Sequence, residues 1–319
     1  MATCGTIRDM NLSRMREYML CNRQVRVADA ARETEMSIPT AAKLIGDLVE
    51  CGEMKEVGCC ASTGGRCAMV YEINPAYLSY LLLRAEYSHY RYQVRDYAGE
   101  CLEDGEFEAE TCALEHLDSL IAQIRTRRPN LRGACMGISA LVSNNRVQRS
   151  MQRSPLVGLD MPGHIRQITE LPFIMENDVN TAALACWKQS GLQRGCIVCL
   201  YKQGVGLVID GRVWHGRNGL PGEIDMFRPL KNANRWSVDH DPSYYNAFTA
   251  GVYAVTLDPD KIVIYTPEGE APCDPLAIRK LLEMQLAPDF VPEIHVSNAW
   301  NEDYWQGLDM QMRARLGIA

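Results

Sequence analysis

Lys43 and Arg66 are the cations of this sequence that stand in settings suited to a polyanion. Lys43 lies in Pro39-Thr40-Ala41-Ala42-Lys43-Leu44, and Arg66 closes Ser62-Thr63-Gly64-Gly65-Arg66. A lysine neutralises a phosphate as a point charge. An arginine after glycines has the reach and planar charge for a narrow minor groove. Gly64 and Gly65 carry no side chain to hold a backbone away from a phosphate. Thr40, Ala41 and Leu44 are the small hydroxyl and apolar groups that touch base edges. The chemistry these residue types suit is recognition of duplex DNA.

Such residues work only if the backbone holds them, and the flanking sequence supplies the elements. Val27, Ala30 and Ala31 fall on one face of a short helix, interrupted by Glu35-Met36-Ser37. Ser37 is a good N-cap, Pro39 fits the first turn, and Ala42, Ile45, Leu48 and Val49 follow at helical spacing up to Gly52. Two short helices and a tight turn make a helix-turn-helix, whose second helix lies in the major groove, with Ser37, Thr40, Ala41, Lys43 and Leu44 as its contact residues. Residues 53–58 and Met69 to Ile73 read as strands joined by the Gly64-Gly65-Arg66 tip, a wing. A three-helix bundle with a hairpin and no DNA partner would show the same helix spacing. Ile7, Met10, Met15, Tyr18 and Met19 mark a preceding amphipathic helix that should pack beneath this pair.

The chain has 319 residues and a formal net charge of −7, which confines any DNA contact to a local patch. No apolar run is long enough to span a bilayer, and the N-terminal residues lack a secretory core, so a cytoplasmic protein is expected. The 13 cysteines show no paired framework and read as reduced thiols. Cys51, Cys59, Cys60 and Cys67 contain no CxxC pair, so no metal site is expected there.

Asn74-Pro75 ends the first pattern, placing a domain boundary between residues 1–75 and 76–319. Beyond it the pattern becomes α/β: strands over 78–86, 90–97 and 100–108, a helix over 114–126, and a buried strand over 133–142. A helix at 165–169, a strand at 173–176, an alanine-rich helix at 180–189 and a hairpin over 196–209 follow. No internal repeat is visible.

With these elements in place, several motifs resemble the ROK family (repressors, open reading frames and kinases). They are the wing Ser62-Thr63-Gly64-Gly65-Arg66, Glu176-Asn177-Asp178-Val179-Asn180-Thr181-Ala182-Ala183, Gly204-Val205-Gly206 with Asp210-Gly211, the Gly222-Glu223-Ile224 turn, and the run from Leu257 to Ile264. The resemblance covers nearly the whole chain. It implies a winged helix-turn-helix followed by a two-lobed actin-like ATPase (ribonuclease H-like) domain. In family kinases the residue matching Asp178 is the base that deprotonates a sugar hydroxyl, and those matching Asn177 and Glu223 hold sugar hydroxyls. A carboxylate beside an amide suits that work. Either Asn177 or Asp178 would equally serve as an N-cap of the next helix.

Measured against that family, the phosphate loops depart from pattern. Arg84-Ala85-Glu86-Tyr87-Ser88 stands where an Asp, two Gly and a Thr are expected, Lys202-Gln203-Gly204 where Gly-Thr-Gly is expected, and Thr266-Pro267-Glu268 near an expected glycine pair. Phosphoryl transfer depends on such loops for positioning and charge neutralisation. The sugar side departs as well. Ser139-Ala140-Leu141-Val142 lacks a Pro-Gly, Met226 replaces a histidine, and no cysteine between Cys199 and Cys273 supplies the zinc knuckle.

The resulting expectation is a ROK-type transcriptional regulator controlling carbohydrate-related genes, without catalytic activity, cofactor or metal. It would bind an inverted-repeat operator as a homodimer or higher homo-oligomer, and respond to a sugar or sugar derivative held by Asn177, Asp178 and Glu223. The alternatives are a sugar kinase using Asp178 as base, or an interaction scaffold with no small ligand.

Overall fold

The computed structural model describes residues 4–59, 68–110, 113–143, 146–149, 154–226 and 242–318. Three helices open the chain: α1 (Cys4–Cys21), α2 (Val27–Glu33) and α3 (Ile38–Glu50). The antiparallel strands β1 (Met54–Cys59) and β2 (Met69–Ile73) follow, in the expected order. Ser37 caps α3, its hydroxyl accepting from the Thr40 amide at 3.3 Å, and Pro39 sits in the first turn. Met15 and Met19 of α1 pack with Ala30, Ala31, Ala41, Ile45, Leu48 and Met54 into one small core. The rest of the α1 expectation is corrected: Ile7 and Met10 are 51% and 53% exposed, and the first half of α1 meets α3 through the exposed Arg8–Asp47 pair rather than through these apolar side chains.

Two five-stranded sheets follow. The first, in the order β5-β4-β3-β6-β9, contains β3 (Ser79–Glu86), β4 (His89–Asp96), β5 (Cys101–Glu108), β6 (Leu131–Ile138) and β9 (Phe173–Asn177). Strands β3 to β5 form an antiparallel meander, while β6 and β9 join in parallel. The second runs β12-β11-β10-β13-β14, from β10 (Cys196–Tyr201), β11 (Gly204–Ile209), β12 (Arg212–Val213), β13 (Lys261–Tyr265) and β14 (Glu293–Ser297). It repeats the same pattern, a meander and then two parallel additions. A structural repeat thus exists where the sequence shows none, since topology is held by alternation and burial rather than by particular residues. The strand expected to run to residue 142 stops at Ile138. The chain bends at Ser139-Ala140 into a separate ribbon of β7 (Leu141–Ser143) and β8 (Arg146–Arg149).

Helices cover these sheets in layers. Helices α4 (Ala113–Arg127) and α5 (Met161–Thr169) close the outer face of the first sheet, with Leu117, Ile121, Ile124 and Ile165 fully buried. On the second sheet, Pro242–Leu257 and Pro275–Glu283, here α7 and α8, do the same through Ala250, Ile278 and Leu282. Between the sheets lie α6 (Asp178–Ser190) and the last helix, α9 (Trp300–Leu316). Their core joins Tyr80, Leu82 and Cys135 of one sheet to Ile197, Cys199 and Tyr265 of the other. The two helices touch closely. A methyl group at Gly307 would collide with the Thr181 carbonyl oxygen, and one at Gly206 with that of Val179.

Candidate functional site

The C-terminal ends of β3, β6, β9 and β10 point to one place, where an open α/β sheet gathers its ligands. A cavity of about 480 Å³ opens there, bordered by Glu86, Ser139, Asn177, Asp178, Tyr201, Lys202 and Glu223 among others. The structure therefore brings together Asn177, Asp178 and Glu223, which lie up to 46 positions apart in sequence.

Each of the three is held differently. Asn177 caps α6: its side-chain oxygen accepts from the amides of Val179 at 2.9 Å and Asn180 at 3.0 Å. Its Nδ2 donates to the Ala140 carbonyl at 3.2 Å, which leaves its second N–H for a ligand. The capping alternative is thus realised in Asn177. Asp178 begins the helix and is buried. Burial pushes its carboxyl up to about 7, against the pull of the Val179 amide and the Ser139 hydroxyl. Glu86 raises it further, and Arg84 opposes that. Glu223 is half-buried, just after Gly222, whose φ of 97° suits the turn. Met226 also borders the cavity.

A buried cation occupies the place where the resemblance puts a phosphate loop. Arg84 is 2% exposed. Its Nη1 donates to Asn301 Oδ1 at 2.9 Å, its Nη2 to Glu86 Oε1 at 2.6 Å, and its guanidinium carbon lies 4.4 Å from the Tyr304 ring centroid. Glu86 is thus paired, and Arg84 fills the interior where the resemblance would put glycines. Beside it Trp300 stacks on Tyr201 with ring centroids 3.6 Å apart. Lys202, at φ 53°, places its ammonium 5.1 Å from the Tyr201 ring. The hairpin that would cradle a second phosphate is therefore packed against an aromatic pair.

Sequence reasoning missed other polar groups here. Glu176 accepts from the Asn177 amide at 2.8 Å and meets His215 Nε2 at 2.6 Å, and that contact raises the His215 pKa against the effect of its burial. No local pattern links residues 39 positions apart. Arg149 reaches the cavity from β8, an element the sequence did not reveal. Among the described residues no group of His, Cys, Asp and Glu could hold a metal.

In the N-terminal unit, Ser37, Thr40 and Lys43 lie exposed on α3, with the Ser37 and Thr40 hydroxyl oxygens 2.8 Å apart. Ala41 and Leu44 are corrected as contact residues: they are 0% and 4% exposed. The buried stripe of α3 runs Ala41, Leu44, Ile45 and Leu48, which agrees with the expected face at Ile45 and Leu48 and differs at Ala42, where Ala41 is buried instead. Ala42 and Gly46 take their place on the open face. Gly64, Gly65 and Arg66 lie outside the described residues.

Two sheets of repeated topology, closed on a pair of central helices and carrying a cleft at their strand ends, define a two-lobed α/β protein. Residues 87–229 match the model of the ROK family. The chain is similar to the xylose repressor of Staphylococcus xylosus, at 22% identity over 247 residues, which cover 74% of this chain and 63% of that protein. It thus spans less than two thirds of that relative's length. Its fold is shared with a solved ROK family transcriptional regulator, a homolog of the E. coli MLC protein, at TM-score 0.64 and 16% identity over 96% of this chain and 98% of that one. A ROK family protein from Streptococcus pneumoniae TIGR4 in complex with sucrose matches at TM-score 0.56 and 14% identity, over 74% of this chain and all of that one. Among the described residues no helix is long and apolar enough to cross a membrane.

Proposed function

We infer that this protein is a DNA-binding transcriptional regulator whose two-lobed body senses a sugar or sugar derivative and transfers no phosphate. Residues 1–75 form a winged helix-turn-helix and residues 76–319 an actin-like, kinase-derived body. The observation that carries this reading is the open face of α3, where capped Ser37, Thr40 and Lys43 stand clear of the unit's own core. One such helix buries too little surface for a specific site, so the working form is a homodimer or higher oligomer on an inverted repeat. The relatives with repressor or regulator in their names support a role in controlling carbohydrate genes in the cytoplasm. The effector site is the cleft, with Asn177, Asp178 and Glu223 facing the ligand. Titration of labelled duplexes carrying one or two half-sites, with and without sugars, tests the reading. No binding to any duplex overturns it.

A sugar kinase is the second reading, favoured by Asp178, a carboxyl tuned to about 7 in the cleft as a general base would be. Arg84 and the packed Tyr201-Lys202 turn weigh against it, because a nucleotide's phosphates need open backbone N–H groups at those turns. If no sugar shifts DNA affinity or melting temperature, an interaction scaffold is the better description.

A further inference from the structure

The last helix touches both the cleft and the N-terminal unit. At its first turn Trp300 stacks on Tyr201, and Asn301 accepts from Arg84. In its middle Gly307 lies against the Thr181 backbone, so α9 must move with α6, whose first residue is Asp178. Toward its end Asp309 accepts from the Tyr80 hydroxyl at 2.6 Å, and buried Arg313 donates to the Tyr97 carbonyl at 3.4 Å. At the cap, the Gly317 carbonyl accepts from Arg16 Nη1 at 2.7 Å. Seventeen residues of helix span about 25 Å.

Arg16 belongs to α1 and does more than meet that cap. Its Nε and Nη2 hold both oxygens of Glu53, at 2.8 and 2.5 Å, where α3 passes into β1. Glu53 is buried and also accepts from the Tyr97 hydroxyl at 2.6 Å, across the expected boundary. A buried carboxylate held by a guanidinium fork and a hydroxyl tolerates little displacement, since losing the hydroxyl leaves it under-bonded and losing Arg16 leaves its charge unpaired. The partial negative charge at the C-terminal end of α9 adds to the hold on Arg16.

The geometry points to α9 as a lever that passes changes in the cleft to residues 1–75 through the node of Arg16, Glu53 and Tyr97. This rests on the reading of the cleft as the effector site, and it names how that site regulates. A displacement of Asn301 or Trp300 shifts α9 along with α6, and the Gly317 carbonyl carries Arg16 and Glu53 with it. Because Glu53 sits between α3 and β1, the recognition helix and wing turn together.

The test compares hydrogen exchange of the full chain in the parent, Asn301→Ala, Arg16→Gln and the double variant. Asn301→Ala perturbs only the cleft end. Exchange over residues 12–20 and 53–59 should change by about threefold or more, while α4, on the far side of the first sheet, stays as in the parent. In the Arg16→Gln background, which removes the link between the Gly317 carbonyl and Glu53, the same substitution should produce no further change at those segments. Arg84→Lys, which keeps the charge and loses the fork, serves as a second cleft-end variant should Asn301→Ala fail to fold. A response confined to residues near 84 and 301, or one shared equally by α4, overturns the lever. DNA titration of the same variants separates the readings: an exchange response without DNA binding counts against the proposed function alone, and DNA binding without the response against the lever alone.

Discussion

Arg84 lies over the face of Tyr304 from a distance of 220 residues in sequence, its guanidinium carbon 4.4 Å from the ring centroid. A cation desolvated on an aromatic ring contributes about 1–2 kcal/mol, and here the fork also bonds Asn301 and Glu86. Arg84→Ala should therefore cost about 2–4 kcal/mol in urea unfolding, since it leaves those partners buried or half-buried without their donor. A cost near zero would mean that the cleft interior does not depend on this contact.

Phosphate transfer from ATP to hexoses or acetylated amino sugars should be undetectable in the parent. Turnover that disappears in Asp178→Asn would promote the kinase reading. The assay requires only the purified chain and a coupled measurement of nucleotide release.

Lys43→Ala should weaken binding to all duplexes alike and reduce the salt slope by about one. Leu44→Ala should act otherwise. Buried among its own helices, Leu44 contributes to folding, and the variant should lose about 2–4 kcal/mol of stability. Arg66→Ala should hurt AT-rich flanks most. Equal affinity for one half-site and for an inverted repeat would sink the dimer.

Asp178 gives the protein a pH signature. Burial raises its carboxyl to about 7, so the folded state keeps a proton that the unfolded chain releases near pH 4. The group's contribution is fully present below about 4 and is lost as pH rises to about 7, by an amount on the order of 2–4 kcal/mol. Asp178→Asn should therefore melt higher than the parent at about pH 8 and alike at about pH 4. A sugar hydroxyl donating to the carboxylate favours the ionised form, so effector affinity should rise between about pH 6 and 8. Asp178→Ala and Glu223→Ala should each weaken the effector by about 1–3 kcal/mol. An unchanged response in both would place the effector elsewhere.

Gly307→Ala should separate α6 from α9. Overpacking costs about 1–3 kcal/mol where side chains can yield, and more here because the obstacle is the Thr181 carbonyl. Thermal unfolding should show a lowered midpoint for both sheets in one transition.

Much of the layout was legible because it is local. The Ser37 cap, the paired runs in β10 and β11, and the helix after Asn177 each follow from neighbours within a few positions. The face of α3 was read correctly at Ile45 and Leu48 but its edge was misplaced, since Ala41 and Ala42 are equally small and only the packing of α1 and α2 decides between them. Arg84 looked like an intruder in a loop because Asn301 and Tyr304 are invisible from its own segment. The same holds for Glu176 with His215 and for Arg16 with Glu53 and Gly317, pairs that only the folded chain assembles. Met15 and Ile7 share a helix and similar apolarity, yet only Met15 finds a partner surface.

The placement of α9 between the sheets has a consequence for synthesis on the ribosome. The first sheet can hydrogen-bond to completion once Asn177 has emerged, yet Tyr80, Leu82 and Cys135 on its inner face share a core with residues as late as Ile318. At about 5–20 residues per second, that face waits on the order of ten seconds for its cover. During that interval the nascent first lobe presents an apolar surface to solvent, and a holding chaperone would find its binding site there.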